Sequence, residues 1–440
     1  MRILLWHGYL LGGTGSNVYT RALAREWSLA GHDVVVVCQE RSPQDHDLGG
    51  ARVVRPDVGP YLPVFVLDRY EGFEARRLHE MDRADVDRFV GRSVDALRAL
   101  LPADLVFTNH VLLGGPVGAA AVAGTAVPYA VKAHGSELEY SMRGQPDLAA
   151  WGRESLRDAS GVFVGSAHIR TVLEDVCGPL DHPGRVHEVP PGVDVDEFRP
   201  APRAEALAAL LDEARRDPPN PGNAEERLPD EGNAERLAGF LAGDAPTVLY
   251  FGKLIRNKGV HLLLEALAGL DARAVIVGFG DYREELEAQA RAAGLGGRVL
   301  FTGPLEHRHL RHLVPLCDVS VVPSIFPEAF GMVAAEAAAC GVPPVSAAHS
   351  GMREVSRELA GAIGDEPRLA DALSFEIGPG AIEALGGCLE TWLGLDSVER
   401  EVVGGRLADR VAELYSWEGI GARLVSAACG DPDKLPPVPD

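Results

Sequence analysis

The chain has 440 residues, 46% of them hydrophobic and 24% charged, and a formal net charge of −22. Single cores stop growing at roughly 250–300 residues, so the length predicts two domains. The negative charge argues against a nucleic-acid partner, because a phosphate backbone requires a basic face. The apolar run after Met1 is too short for a signal peptide, and no run reaches the ~20 residues of a membrane span. We therefore expect a cytoplasmic protein without stable membrane insertion.

The first half alternates short apolar runs with helical patterns, which is typical of a doubly wound parallel sheet in an α/β domain. A helix is predicted at residues 17–30. Another is predicted at 71–101, where acids and arginines mix too evenly for a membrane-binding face. Strands are predicted at 3–6, 34–37, 105–108, 129–131, 161–165 and 186–189.

The pattern stops at Pro200 and restarts at Thr247. The segment between them is rich in Ala, Glu, Arg and Pro and predicts an exposed low-complexity insertion. We therefore expect an N-terminal domain at 1–200, a linker at 201–246, a second Rossmann-like domain at 247–400, a C-terminal helix at 401–430 and a tail at 431–440. The second domain has predicted strands at 247–251, 273–277, 299–301, 319–322 and 344–346, helices at 261–267 and 282–293, and a helical stretch at 380–428.

A glycine-rich turn follows the first strand and contains Gly12, Gly13 and Gly15. Glycines there let the backbone approach an anion or a substrate, with a helix N-terminus behind them. A tight turn would need the same residues for its geometry alone. The six cysteines are scattered without a C-x-x-C pair, so no zinc site is predicted.

A second motif follows the strand at 247–251 and places Gly252, Lys253 and Lys258 on one loop. Two lysines there can converge on a diphosphate and stabilise the charge that grows on it as a bond breaks. The alternative is a basic turn that only faces solvent.

The third motif has Glu328 in a loop and Glu336 in a helix that begins near Gly331. The backbone N–H groups of residues 330–332 are candidate donors to a pyrophosphate. Two acids beside an anion site are explained if they accept hydrogen bonds from sugar and ribose hydroxyls. A glutamate on so apolar a helix also needs a partner.

The order of these motifs, with Gly278 and then Gly303 between the second and third, resembles glycosyltransferase family 4. The Pro190-Pro191-Gly192-Val193-Asp194 segment matches that family too. The resemblance implies retaining enzymes of the GT-B fold, with two Rossmann-like domains facing across a cleft and a C-terminal helix crossing back to the first domain.

The resemblance also implies roles by position. Glu336 binds the donor ribose, Glu328 contacts the transferred sugar, Lys253 and Lys258 hold the diphosphate, and His134 faces the reacting sugar. The expected catalytic set is thus His134, Lys253, Lys258 and Glu328. The donor-binding set adds Gly12, Gly13, Gly252, Gly278, Leu305 near the base, Phe330, Gly331, Met332 and Glu336, and acceptor contacts are Asn17, His110 and Glu137.

Some of these assignments have structural alternatives. His134 after a buried strand can be a capped structural residue, and the same alternative applies to His110. The family usually has arginine where this chain has Lys253, which removes bidentate phosphate binding. Arg353 after the last strand contacts either substrate or solvent.

The resulting expectation is transfer of a sugar from a UDP- or GDP-sugar to a soluble small molecule or a natural-product or glycan intermediate, with retention and without a metal ion or other cofactor. No Asp-x-Asp is placed to hold a metal at the diphosphate. The sequence leaves a homodimer open. A nucleotide-sugar epimerase, an enzyme of the sucrose-synthase or phosphorylase type, and a non-catalytic sugar-nucleotide binder remain alternatives.

Overall fold

The computed structural model describes residues 1–12, 15–65, 70, 72–217 and 233–430. The chain forms two compact units. The first contains residues 1–192 and the segment that begins at Trp417, and the second contains Val193–Ser416. The division therefore falls at Val193, inside the Pro-Pro-Gly-Val-Asp segment, whereas the sequence placed the boundary at 201–246.

The first unit is built on a parallel seven-stranded sheet. The strands of this unit, seven in that sheet and two in a separate pair, are β1 (Arg2–Trp6), β2 (Asp33–Val37), β3 (Arg52–Val54), β4 (Tyr61–Val64), β5 (Glu74–Arg77), β6 (Leu105–Asn109), β7 (Tyr129–Lys132), β8 (Gly161–Val164) and β9 (Val186–Glu188). Its helices are α1 (Gly15–Leu29), α2 (Arg83–Leu100), α3 (Gly115–Val122), α4 (Pro146–Leu156) and α5 (Ala167–Cys177). The sheet order is β3-β2-β1-β6-β7-β8-β9, and β4 and β5 form a separate parallel pair.

The second unit is built on a parallel six-stranded sheet of order β12-β11-β10-β13-β14-β15. Its first elements are α6 (Arg203–Arg216), α7 (Asn233–Leu241), β10 (Thr247–Phe251), α8 (Val260–Ala268), β11 (Arg273–Val277), α9 (Arg283–Ala292), β12 (Val299–Gly303) and α10 (His307–Leu313). They are followed by β13 (Val319–Val322), α11 (Met332–Ala339), β14 (Pro344–Ala347), α12 (Ser350–Ile363), α13 (Pro367–Asp371), β15 (Ser374–Phe375), α14 (Ala381–Leu393) and α15 (Ser397–Tyr415). The last helix, α16 (Trp417–Ala428), belongs to the first unit.

The doubly wound prediction is confirmed in both units, because every predicted strand is present and pairs in parallel. In each sheet the strand order reverses beside the first strand, between β1 and β6 and between β10 and β13. Ligands of open parallel sheets bind at such reversals, outside the carboxyl ends of the strands. The loops after these four strands are therefore where a site is expected.

Two predicted segments differ from the structure. The helix predicted at 71–101 begins only at Arg83, and β5 occupies part of the earlier stretch. The helical stretch at 380–428 is three helices. The break before α15 is set by a capping box in which the Asp396 carboxylate accepts from Glu399 N, and Glu399 accepts from Asp396 N. The break before α16 is at Ser416, whose extended backbone pairs with Val193.

The described parts of 201–246 are not an exposed insertion. Helices α6 and α7 bury Leu210, Leu237 and Leu241 completely or almost completely in the core of the second unit. The composition of this segment gave a wrong prediction, because a few leucines at helical spacing are enough to anchor two short helices in a core. Residues 218–232, Gly13 and the 431–440 tail lie outside the described residues.

Candidate active site

The loop after β10 is held against its neighbours by glycines. Leu254 N donates to Phe279 O (2.7 Å), and Gly278 N donates to Gly303 O (2.9 Å). Gly278 has a φ of 144°, and a Cβ there would overlap the carbonyl oxygen of Gly252. Gly252 and Gly278 therefore allow two backbone segments to touch at the carboxyl end of the sheet.

Gly259 performs the same role between the basic loop and the loop after β13. Its φ is 69°, and a Cβ there would overlap the carbonyl oxygen of Pro323. Next to it, Ile325 N donates to Asn257 O over 2.9 Å. The second and third motifs thus meet where the strand order of this sheet reverses.

Lys258 and Glu328 form an ion pair between these two loops. Their side chains are 31% and 24% exposed, so both can still reach a ligand. Lys253 is exposed and has no ion-pair partner within the part of the chain that the structure describes. Of the two lysines, Lys258 is therefore the one held beside Glu328, which is predicted to contact the transferred sugar.

The Glu328 loop is fixed by the segment after β14. Glu328 N donates to the Ser350 hydroxyl (2.9 Å), and Gly351 N donates to Glu328 O (3.1 Å). A Cβ at Gly351 would lie 2.5 Å from Ala329 O, so glycine is needed for this approach. Arg353, which departs from the family pattern, is 49% exposed and donates to Ala348 O and to Glu376.

Glu336 lies in α11 and is 8% exposed, among alanines that are fully buried. Its carboxylate lies 3.4 Å from Nε2 of His307, the first residue of α10. A buried carboxylate needs such a partner because its desolvation is costly. His307 was not predicted from the sequence, since no local pattern marks the start of α10 as a contact for Glu336.

Gly331 precedes α11 with a φ of 121°, which favours glycine. The first N–H groups of a helix have no partner within it, so Met332 and the next residue present donors at this end. The Phe330 ring is buried against Tyr415 (5.1 Å between centroids). Phe330 can therefore contact a ligand through its backbone and not through its ring. The Leu305 side chain is partly buried against the same core.

In the first unit, the residues after β1 form a buried polar group. His7 Nε2 lies 2.8 Å from Asn17 Oδ1, and Asn17 Nδ2 donates to Gly12 O over 2.6 Å. Burial, followed by the neighbouring His110, lowers the pKa of His7 to about 3. The neutral imidazole is therefore the stable form, and Asn17 is committed to holding the glycine-rich turn.

That turn is also held from its other side. Leu11 N donates to the Glu40 carboxylate over 3.0 Å, as do Arg41 N and Ser42 N. These backbone donors and the nearby His46 keep the pKa of Glu40 below its usual value, against the opposing effect of burial. Glu40 thus organises the turn.

Glu137 is fully buried and accepts three hydrogen bonds: from His134 N (2.9 Å), from Val111 N (3.2 Å) and from Nδ1 of His110 (3.2 Å). Burial alone would raise the pKa of this carboxyl group, but His110 and the backbone donors hold it below its usual value. Glu137 is therefore an ionised anchor for both histidines.

His134 Nε2 lies 2.8 Å from Asn109 Oδ1, and Asn109 Nδ2 donates to Trp6 O. Burial is the largest cause of a pKa well below the usual value for His134, and His110, Lys132 and His7 add to it. With Nε2 donating to the amide oxygen, Nδ1 carries a lone pair. His134 is thus a neutral hydrogen-bond acceptor at the carboxyl end of β7.

His110 has a left-handed backbone (φ 68°) and is 2% exposed. Its ring lies 4.6 Å from the His134 ring, 4.8 Å from Phe65 and 5.5 Å from Tyr9. Its Nε2 has no hydrogen-bond partner among the described residues. The structure therefore brings Asn17, His110, His134 and Glu137 into one cluster where the strand order reverses.

Lys132 is almost fully buried, and its ammonium donates to Val189 O near the end of the first unit. Burial lowers its pKa to about 7. The unfolded chain keeps the lysine protonated up to about pH 10, so between pH 7 and 10 the unfolded state binds more protons. This buried ammonium costs stability at low pH, and stability rises with pH across that window.

We expect Lys132→Met to remove this dependence. Relative to the variant, the free energy of unfolding of the wild-type protein should rise by about 1.4 kcal/mol per pH unit above pH 7. Urea unfolding of both proteins between pH 7 and 9 measures the difference. Parallel pH profiles would contradict the assigned protonation of Lys132.

Within the described ranges, no group of three or more His, Cys, Asp or Glu side chains is arranged to hold a metal ion. Across the same ranges, no helix has the length and apolar character needed to cross a membrane.

Residues 14–192 match the glycosyl transferase 4-like domain, and residues 234–377 match glycosyl transferases group 1. The chain belongs to this glycosyltransferase family. A D-inositol 3-phosphate glycosyltransferase of Xylanimonas cellulosilytica is 37% identical over 221 residues, which are 48% of this chain and 46% of that protein. One from Mycobacterium bovis is 28% identical and covers 72% of this chain and 60% of its own length. The chain thus aligns with about half the length of these glycosyltransferases.

Two solved structures have similar folds. Sucrose-phosphate synthase from Thermosynechococcus elongatus has a TM-score of 0.66 at 24% identity, over 97% of both chains. Anabaena HepE, in complex with UDP and glucose, has a TM-score of 0.66 at 18% identity, over 97% of this chain and 99% of its own. With the two parallel sheets and the return of α16 to the first unit, these likenesses confirm the GT-B class of this glycosyltransferase family member.

Proposed function

We propose that the protein transfers a sugar from a nucleoside diphosphate sugar to a hydroxyl of a soluble small molecule, with retention of anomeric configuration. The observation that carries the proposal is the Lys258–Glu328 pair at the reversal point of the second sheet, beside the N-terminus of α11. A cation and helix N–H groups suit a diphosphate, and a carboxylate suits sugar hydroxyls.

In this proposal the bond between the anomeric carbon and the diphosphate oxygen breaks, and the diphosphate leaves with the electron pair. Lys258, Lys253 and the N–H groups at the start of α11 stabilise that growing charge without a metal ion. The acceptor oxygen forms the new bond on the same face, and its proton passes to the departing phosphate. Glu336 accepts from the ribose hydroxyls, and Glu328 accepts from the sugar.

In this proposal the cluster of Asn17, His110, His134 and Glu137 in the first unit serves the molecule that receives the sugar. His134 offers a neutral nitrogen acceptor, and Glu137 fixes it together with His110. The two relatives from Xylanimonas cellulosilytica and Mycobacterium bovis carry the name D-inositol 3-phosphate glycosyltransferase, which makes a phosphorylated cyclitol the first acceptor to test. The complex of HepE with UDP makes UDP-sugars the first donors, with GDP-sugars as the alternative.

The test is incubation of the pure protein with UDP- and GDP-sugars, with and without acceptor. Nucleoside diphosphate released only with acceptor supports transfer, and the product's anomeric coupling constant in NMR reports retention. A changed sugar without acceptor would indicate an epimerase. Binding without either reaction would indicate a sugar-nucleotide binder.

Glu336→Ala is expected to weaken donor binding roughly 10- to 100-fold, because it removes charge-assisted hydrogen bonds to the ribose. Calorimetric titration with the nucleoside diphosphate measures the change. Glu383→Ala, in an exposed position of α14 in the same unit, is the control and should leave the affinity unchanged. Unaltered affinity in Glu336→Ala would disprove the ribose assignment.

A further inference from the structure

Helices α6 and α7 flank residues 218–232, and both are attached to the segment between β12 and α10. Asp217, directly after α6, has a side chain that is 7% exposed. Its carboxylate lies 2.8 Å from His309 Nε2 and also pairs with Arg308. Both partners lie in α10, 91 and 92 residues further along the chain.

The His309 side chain is fully buried and uses both ring nitrogens. Glu306 N donates to Nδ1 (3.3 Å), so Nε2 carries the hydrogen that Asp217 accepts. This bond therefore fixes the start of α10 to the end of α6. Without Asp217, a buried N–H would lose its acceptor, which is a costly state.

The start of α7 is attached to the other end of the same segment. Asn233 is 3% exposed, and its Nδ2 donates to Thr302 O over 2.8 Å. Arg236 donates to the neighbouring Phe301 O. Residues 303–307 are thus bounded by an α7 contact on one side and an α6 contact on the other.

This short segment leads to Glu336. It contains Leu305 and ends at His307, whose Nε2 lies 3.4 Å from the Glu336 carboxylate. His307 begins the same helix that Asp217 holds through His309. A change in the setting of α10 would therefore move His307 relative to Glu336.

We propose that Asp217 and Asn233 are positioning residues for nucleotide binding, which hold residues 303–307 so that His307 orders Glu336 for the ribose. The inference rests on the proposed function and deepens it, because it assigns a role to two helices outside the strand-loop motifs. Neither residue is proposed to touch the nucleotide. Their effect passes through α10 and the backbone of β12.

Calorimetric titration of full-length Asp217→Ala and Asn233→Ala with UDP and GDP, well below each variant's Tm, tests this role. We expect each variant to bind the preferred nucleotide roughly 5- to 10-fold more weakly, with kcat at saturating donor within about 2-fold of wild type. Asp217→Asn, which keeps an acceptor for His309, should recover most of the affinity. If Asp217→Ala does not fold, Asn233→Ala is the deciding variant.

Asp212→Ala is the matched control, because Asp212 lies in the same helix in an exposed pair with Arg216. It should leave nucleotide affinity unchanged. In a Glu336→Ala background, Asp217→Ala should cause no further loss, since the two act through one contact. A purely structural role would lower the Tm and leave the nucleotide affinity and this coupling unmoved.

Failure of the proposed function and failure of the positioning role give different results. Wild-type protein that binds neither UDP nor GDP overturns the proposed function, and the positioning role with it. Wild-type protein that binds, together with a folded Asp217→Ala or Asn233→Ala that binds equally well, overturns the positioning role alone. Additive losses with Glu336→Ala also overturn it, because independent sites do not share a contact.

Discussion

Lys258→Ala is expected to lower kcat for sugar transfer roughly 100- to 1000-fold, because in the proposed reaction this cation stabilises the leaving diphosphate. The charge on that group grows only as the bond to the sugar breaks, so the loss should fall mainly on kcat and less on the donor KM. Steady-state release of nucleoside diphosphate with saturating acceptor measures both constants.

The control for Lys258 lies on the same loop. Arg256 is exposed, and its guanidinium lies 5.9 Å from the Tyr282 ring centroid. Arg256→Ala should retain most of the activity, which separates the position of Lys258 from the general positive charge of the loop. Equal losses in both variants would contradict a specific role for Lys258.

Glu137→Ala is expected to lower the free energy of unfolding of the protein by about 3–5 kcal/mol, because it removes the carboxylate from a buried charged network. Val111 N and His134 N would lose their acceptor, and His110 would lose its only ion-pair partner among the described residues. Urea unfolding at pH 7 measures the change, and transfer activity should fall with the order of His134.

Glu139→Ala provides the comparison two residues away. Glu139 forms a partly exposed pair with Arg143, and such pairs contribute about 0–1 kcal/mol. The pKa of Glu137 is lowered in the folded protein, so its contribution is present above the usual carboxyl pKa and is lost as pH falls below it. A Glu137→Ala protein as stable as Glu139→Ala would show that the network carries little energy.

The local sequence pattern was sufficient to predict the central strands and the loop and helix of the third motif. Strands such as β10 and β13 are continuous aliphatic runs because both faces of a parallel sheet are covered, and their limits match the prediction. Strands β3 and β5 were missed because they are short and carry charged residues such as Arg52 and Glu74. Their pairing is decided by neighbours and not by their own pattern.

The residues of the candidate site show the same contrast between those that a local motif predicts and those that it does not. The residues that the motifs contributed, such as Lys258 and Glu328, lie together because their strands are adjacent at the reversal point. His7 and His307 were not predicted, because one lies between β1 and the glycines of the turn and the other begins a short helix, and neither histidine is marked by a local pattern. Contacts between residues far apart in sequence, such as Asp217 with His309, leave no local periodicity.

The most direct test of the proposed donor site is a calorimetric titration of the wild-type protein with UDP and GDP, in the presence and absence of EDTA. We expect one site per chain for one of the two nucleotides, an affinity that EDTA does not change, and a loss of binding in the Lys258→Ala, Glu336→Ala double variant. Absence of binding to either nucleotide, or equal binding by the double variant, would contradict the assignment of the donor site.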